Sequence, residues 1–141
     1  MPPPKGTAVQ ARILLESLRP GGIVVPSSGS LTEYQAPSAE GIRVDDCGHV
    51  GYAANPAFDS LVAKVIAHEA DGDLSAALAL LSKALDEFEL EGTASNIDLQ
   101  QSLISDPRVD RYEVSTQFID VNLDDFLMSS KDDVTLDPLA V

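Results

Sequence analysis

The sequence predicts an α+β fold, with a mostly antiparallel β-sheet in its first half and two helices packed on it. Three observations predict this. Short apolar or alternating runs, separated by Gly-, Pro- and Ser-containing turns, fill the first half of the chain. After Asp73 the apolar spacing changes to the four-three step of a helix. The composition, 44% hydrophobic and 23% charged over 141 residues, is that of one ordinary globular domain with a real core.

The elements follow in order. Residues 1–6 are a Pro-rich lead-in that cannot sustain a hydrogen-bond ladder. Ala8 to Leu15 reads as a strand, with Arg12 set among apolar neighbours. Turns at Arg19-Pro20-Gly21-Gly22 and Pro26-Ser27-Ser28-Gly29-Ser30 flank the short apolar piece Ile23-Val24-Val25. Leu31 to Ala36 alternates at period two, and so does Ile42-Arg43-Val44. Asp45 to His49 is turn-like, Val50 to Ala53 is a short strand, and Phe58 to His68 is the most strand-like segment. Asp73 caps a helix whose apolar positions are Leu74, Leu78, Leu81, Leu85 and Phe88, and Gly92 stops it. Ser95 or Asn96 starts a second helix through Ile97, Leu99, Leu103 and Ile104, ended by Asp106-Pro107. Thr116 to Val121 reads as a final strand or edge segment. Residues 120–141 hold six Asp (120, 124, 125, 132, 133 and 137) against one Lys. The domain is therefore expected over 7–123, with an acidic tail or linker over 124–141 that is mobile beyond about Leu127.

Charge narrows the function classes. Asp and Glu number 23 against 9 Lys and Arg, for a net charge of −14 and a pI near 4.2. A phosphate-backbone binder needs a basic face, so nucleic acid is not an expected partner. The same excess of carboxylates opposes docking on anionic lipid. The single cysteine, Cys47, cannot form an intrachain disulfide. The N-terminus has no apolar leader and no run is long enough to span a bilayer, so the expectation is a soluble cytoplasmic domain. The chain has no Walker A motif, no dinucleotide fingerprint and no basic–aromatic stripe.

Two groups of residues could carry chemistry. Asp45-Asp46-Cys47-Gly48-His49, with His68, offers carboxylate, thiol and imidazole, the ligand types of a transition metal. The spacing lacks a Cys-x-x-Cys or paired-His pattern, and a hairpin turn with a packed thiol accounts for the segment. No metal site is expected, and an independent metal hydrolase is the weakest function class. Arg12 is more informative, because a guanidinium in so apolar a strand needs an anion, a carbonyl or an exit to solvent. From spacing alone, pairing with Glu16 or Asp59 is the simpler account, with a substrate role left open. Arg43 and Lys64 read as an exposed cross-strand partner and a snorkelling or salt-bridged residue.

Taken together, the segments Gly6-Thr7-Ala8-Val9-Gln10-Ala11-Arg12-Ile13, Pro26 to Tyr34, Gly41-Ile42-Arg43-Val44-Asp45, Asn55 to Ile66, Glu91 to Ile97 and Ser115 to Ile119 follow a family order. Over residues 6–120 the chain resembles the C-terminal domain of biotin carboxylase, the ATP-dependent component of acyl-CoA, pyruvate and urea carboxylases. It departs where the family's acidic phrase after the arginine is Leu14-Leu15-Glu16-Ser17. It departs again where the usual Pro-Tyr-Tyr-Asp is Pro56-Ala57-Phe58-Asp59. The resemblance implies phosphorylation of bicarbonate by MgATP, then transfer of the carboxyl group to N1′ of biotin on a carrier domain. Arg12 matches the family's arginine credited with stabilising the biotin oxyanion. Thr116 matches a position beside the adenine pocket. Glu40 and Arg43 fall on the surface that bacterial members use to dimerise, with Glu40 replacing a more apolar residue. The family's ATP-grasp region, with its lid, lysine, Mg²⁺-binding carboxylates and base, does not precede Met1, so an excised piece or a stand-alone relative is expected. The expectations are therefore an ATP-grasp portion and a biotin carrier as partners, a possible homodimer, and biotin, ATP and Mg in the full enzyme. No cofactor should be held, and no catalysis performed, by this chain alone. The alternative is a non-catalytic scaffold that docks on an ATP-grasp chain or a biotin carrier.

Overall fold

The computed structural model describes residues 3–55 and 57–129, without the side chain of Ser129. Its elements are β1 (Thr7–Leu14), β2 (Glu16–Arg19), β3 (Ile23–Pro26), β4 (Glu33–Gln35), β5 (Ile42–Asp46), β6 (Leu61–Glu69), α1 (Leu74–Asp86), β7 (Glu89–Glu91), α2 (Ile97–Ile104), α3 (Pro107–Asp110) and α4 (Phe118–Ser129). The class is α+β, and every strand pair is antiparallel.

The main sheet has the order β1-β6-β5. Alternation gives it two different faces. Ala11 and Ile13 of β1, with Ala63, Val65 and Ala67 of β6, are buried on one face, and α1 packs against both strands. Leu81, Ala84 and Leu85 of α1, with Phe88 just beyond it, complete that core. α1 forms here because Leu78, Leu81 and Leu85 share a face and Asp73 accepts from Ala76 N at 3.1 Å as its cap. β2 and β3 form a hairpin, and β4 pairs with β7.

Several expectations are corrected. α1 ends at Asp86 rather than running to Gly92, because Glu89-Leu90-Glu91 alternates and pairs with β4. Gly92, at φ +94°, instead turns the chain out of β7; an added Cβ there would meet Ser30 O and Thr32 N. Val50 to Ala53 forms no strand; Gly51 N donates to Leu31 O and Tyr52 N to His49 O, as in a turn. Thr116 to Val121 is not a strand either. Thr116 and Gln117 form a turn, and α4 begins at Phe118. Its β-prone residues suggest a strand or edge segment, whereas Phe118, Leu123 and Phe126 share the buried side of a helix. That helix carries the chain through Asp124, where the acidic tail was expected to start, to Ser129. Asp124 and Asp125 lie on its exposed side while Phe126 is buried. Mobility was expected beyond about Leu127; Met128 and Ser129 belong to α4, and residues 130–141 lie outside the described residues. No helix among the described residues is long and apolar enough to cross a membrane.

Candidate functional site

The face of the main sheet opposite α1 bears the charged side chains. Register sets Arg12 opposite Lys64 and Lys64 opposite Asp45, with Gln10, Ile66 and Arg43 in the adjoining row. Directly opposed side chains share a face, so three of the chain's nine Lys and Arg gather on one patch of an acidic protein. Two like charges side by side are unfavourable, and flanking carboxylates offset them. Arg43 Nη2 donates to Asp45 Oδ2 at 3.0 Å, and Arg12 Nη2 donates to Asp59 Oδ2 at 3.3 Å.

Of the two carboxylates expected for Arg12, the structure selects Asp59. Glu16 instead accepts from Ser60 Oγ at 2.6 Å. Asp59 is itself oriented, because its Oδ1 accepts from Leu61 N at 3.1 Å. The Arg12 side chain remains 48% exposed, and among the described residues its guanidinium makes no other hydrogen bond. Beside the pair lies a cavity of about 240 Å³ lined by Leu15, Glu16, Asn55, Phe58, Asp59 and Ser60. Phe58 is 76% exposed at its mouth.

Behind Arg12, the main chain of β1 is held from its outer edge. Asn96 Nδ2 donates to Arg12 O at 3.0 Å, Leu14 N donates to Asn96 Oδ1 at 2.9 Å, and Asn96 N donates to Leu14 O at 3.1 Å. Sequence reasoning placed Asn96 only as a helix start. Nothing local marks an Asn whose amide serves a strand some 80 residues away.

The other residues singled out lie elsewhere. Thr116 is exposed in the turn leading into α4, which packs on α2, and the structure does not bring it to Arg12. Glu40 is exposed in the turn before β5. Asp45 to His49 does not assemble as a cluster. Asp46 Oδ2 accepts from Tyr34 Oη at 2.6 Å, Gly48 lies so close to the Tyr34 ring that a Cβ would clash, and Tyr34 stands edge-on to Phe88. Burial, then the Asp46 carboxylate, pushes the Tyr34 hydroxyl well above its ordinary pKa. Tyr52 is raised too, first by its hydrogen bond with Cys47 and then by burial. Cys47 is exposed rather than packed away as expected, with its Sγ facing the carbonyls of Leu61 and Val62; His49 Nδ1 lies 3.3 Å from Cys47 O, and His68 Nε2 lies 3.0 Å from Lys5 O. Among the described residues no three His, Cys, Asp or Glu side chains gather as a metal site.

Sequence and strand order together match one known family over most of the chain. The family model for the biotin carboxylase C-terminal domain matches residues 10–121. The chain belongs to that family. Biotin carboxylase of Pseudomonas aeruginosa is 34% identical over 119 residues, which are 84% of this chain and 25% of that protein. A single-chain, multi-domain long-chain acyl-CoA carboxylase superposes with a TM-score of 0.83 at 36% identity, over 89% of this chain and 12% of that one. The biotin carboxylase domain dimer of Hydrogenobacter thermophilus 2-oxoglutarate carboxylase, in complex with MgADP, ADP and bicarbonate, superposes at 0.79 with 27% identity. It covers 86% of this chain and 26% of that one. The chain spans a quarter or less of the length of the curated relatives it matches, from 25% of the Pseudomonas aeruginosa protein to 10% of a mitochondrial pyruvate carboxylase of Mus musculus.

Proposed function

We propose that this biotin carboxylase C-terminal domain contributes the biotin-facing guanidinium of a biotin-dependent carboxylase, through Arg12. The reading rests on one observation: Arg12 is held at one nitrogen by Asp59 and is otherwise open, on the sheet face that α1 does not cover. When biotin's ureido nitrogen loses its proton, negative charge develops on the ureido oxygen. A planar donor already in place stabilises that charge without reorganising, and its unused N–H groups match an oxygen acceptor. Lys64, the cross-strand neighbour of Arg12, adds positive potential to the same patch.

MgATP and bicarbonate would supply the activated carboxyl group in the full enzyme. This chain's described residues offer no clustered carboxylates for Mg²⁺, and its sequence has no Gly-rich phosphate loop. That chemistry therefore belongs, in this reading, to an ATP-grasp portion that docks against the domain, while a carrier domain presents biotin. Thr116 would line the adenine side of the joint site, and Glu40 and Arg43 would sit at a homodimer contact. A cytoplasmic setting completes the proposal.

The test combines the 141-residue chain with the separately produced ATP-grasp portion of a related biotin carboxylase. Turnover is expected from the mixture and not from this chain alone. Arg12→Ala and Arg12→Lys should each lower carboxylation of free biotin by about 10²-fold or more, the scale of removing one preorganised oxyanion donor. Bicarbonate-dependent ATP cleavage should fall less. Equal loss of both activities in a folded variant, or carboxylation unchanged, would remove Arg12 from the chemistry.

A further inference from the structure

Asn96 is the one buried polar residue among those described, at 8% exposure, and its side-chain oxygen and nitrogen both bond away from its own helix. It occupies the N-cap position of α2, where an Asn side chain ordinarily accepts from the first turn of its helix. It makes no such bond here. Both amide atoms bond the backbone of β1 instead, one at Arg12 and one at Leu14, on either side of the fully buried Ile13. Gln100, one helical turn on, adds Nε2 to the same Arg12 carbonyl at 3.5 Å.

The place of this attachment matters. β1 is an edge strand, so among the described residues no further strand supports it on the side away from β6. Its pairing with β6 also shifts register between Ile13 and Leu14. The ladder is thus irregular one residue beyond Arg12, whose side chain must be held still. The Asn96 amide stands in for a missing strand there, presenting a donor and an acceptor as a peptide group would.

We infer that Asn96 is a positioning residue for Arg12: it fixes the β1 backbone from which the guanidinium projects and so sets where that guanidinium meets its ligand. The inference rests on the reading that Arg12 faces biotin, and it extends that reading to a residue that touches no substrate. Asp59 steers the tip of the side chain, while Asn96 holds its root. A shift of about 1 Å in a reacting or stabilising group can cost up to about 10²-fold in rate.

Asn96→Asp is the discriminating variant. It keeps the shape and the acceptor for Leu14 N, allows α2 to be capped, and replaces the donor to Arg12 O by a carboxylate oxygen that repels it. Asn96→Ala removes both bonds and serves as the comparison. In the 141-residue chain, NMR should show faster exchange of the Arg12 Nε–H and greater motion of that side chain in Asn96→Asp, with the Leu14 amide still protected. In the mixture with an ATP-grasp portion, the same variant should lower kcat for biotin carboxylation while KM for ATP stays unchanged. Unaltered Arg12 dynamics in folded Asn96→Asp would overturn the inference, as would unaltered kcat in a mixture where Arg12→Ala is impaired. If Arg12→Ala itself has no effect on turnover while the NMR changes appear, the biotin reading fails and the positioning contact stands.

Discussion

The ion pair between Arg12 and Asp59 decides between a structural and a chemical role for Arg12, and its strength can be worked out from its geometry. Unit charges 3.3 Å apart attract by about 1.3 kcal/mol at the dielectric of water. Holding two flexible side chains in one arrangement offsets most of that, and both partners are well exposed, at 48% and 66%. The pair should therefore couple by about 0.5 kcal/mol, within the range of exposed ion pairs. The assay is a double-mutant cycle in urea, with Arg12→Ala, Asp59→Ala and the double variant, at low and high salt. Asp59→Ala also deletes the acceptor for Leu61 N, but that loss occurs in both arms of the cycle and cancels. The coupling should shrink further in high salt. A salt-insensitive coupling above about 2 kcal/mol would mean a locked structural bridge of the buried kind, and Arg12 would then be unavailable to a ligand.

Two further outcomes are expected. Asp106 accepts from Arg108 through both carboxylate oxygens, at 2.9 and 2.6 Å, while Arg108 Nη1 reaches Asn122 and the guanidinium lies over the Phe118 ring. Hydrogen bonding to Arg108 holds the Asp106 carboxyl below its ordinary pKa. A depressed folded-state value means a stabilisation present in full above the normal aspartate range and lost as pH falls through the depressed value. The difference in urea midpoint between wild type and Arg108→Ala should thus be largest near neutrality and narrow in acid; a difference constant with pH would count against the clamp. Zinc should not be retained stoichiometrically after dialysis. Cys47 bonds at Val62, and His68 lies six residues farther along β6, about 20 Å away at the usual strand rise. One equivalent of zinc lost on Cys47→Ser would contradict that separation.

The parts of this fold governed by local patterning were legible in the sequence. The β1 alternation of Ala11, Arg12, Ile13 marks a half-buried strand, and the stripe of α1 marks one helix face, because each period reports a face directly. The elements that went unread are those set by distant partners. Glu89-Leu90-Glu91 is too short to announce a strand and exists because β4 pairs with it. The stretch from Thr116 has β-prone residues yet begins α4, because burial of Phe118, Leu123 and Phe126 outweighs intrinsic preference. At the site, Arg12 stood out because a charge in an apolar strand demands an explanation. Asp59 was one of two carboxylates within reach, and only the folded loop distinguishes it from Glu16.

The same strand carries both the anchorage and the candidate chemistry. Period-two geometry sends Ala11 and Ile13 into the core beneath α1 and leaves Arg12 on the opposite face, so the residues that stabilise β1 are immediate neighbours of the residue that projects from it. A core contact alone would fix the strand's depth but not its slide along the edge, where the pairing with β6 slips at Ile13 and Leu14. The bonds from Asn96 oppose that slide. They come from the start of α2, which packs in turn on α1, α3 and α4. A half-exposed guanidinium would ordinarily sample many positions. Here its backbone is tied to the helical layer and its tip to Asp59, and the side chain stays half exposed. That is the arrangement a preorganised oxyanion donor requires.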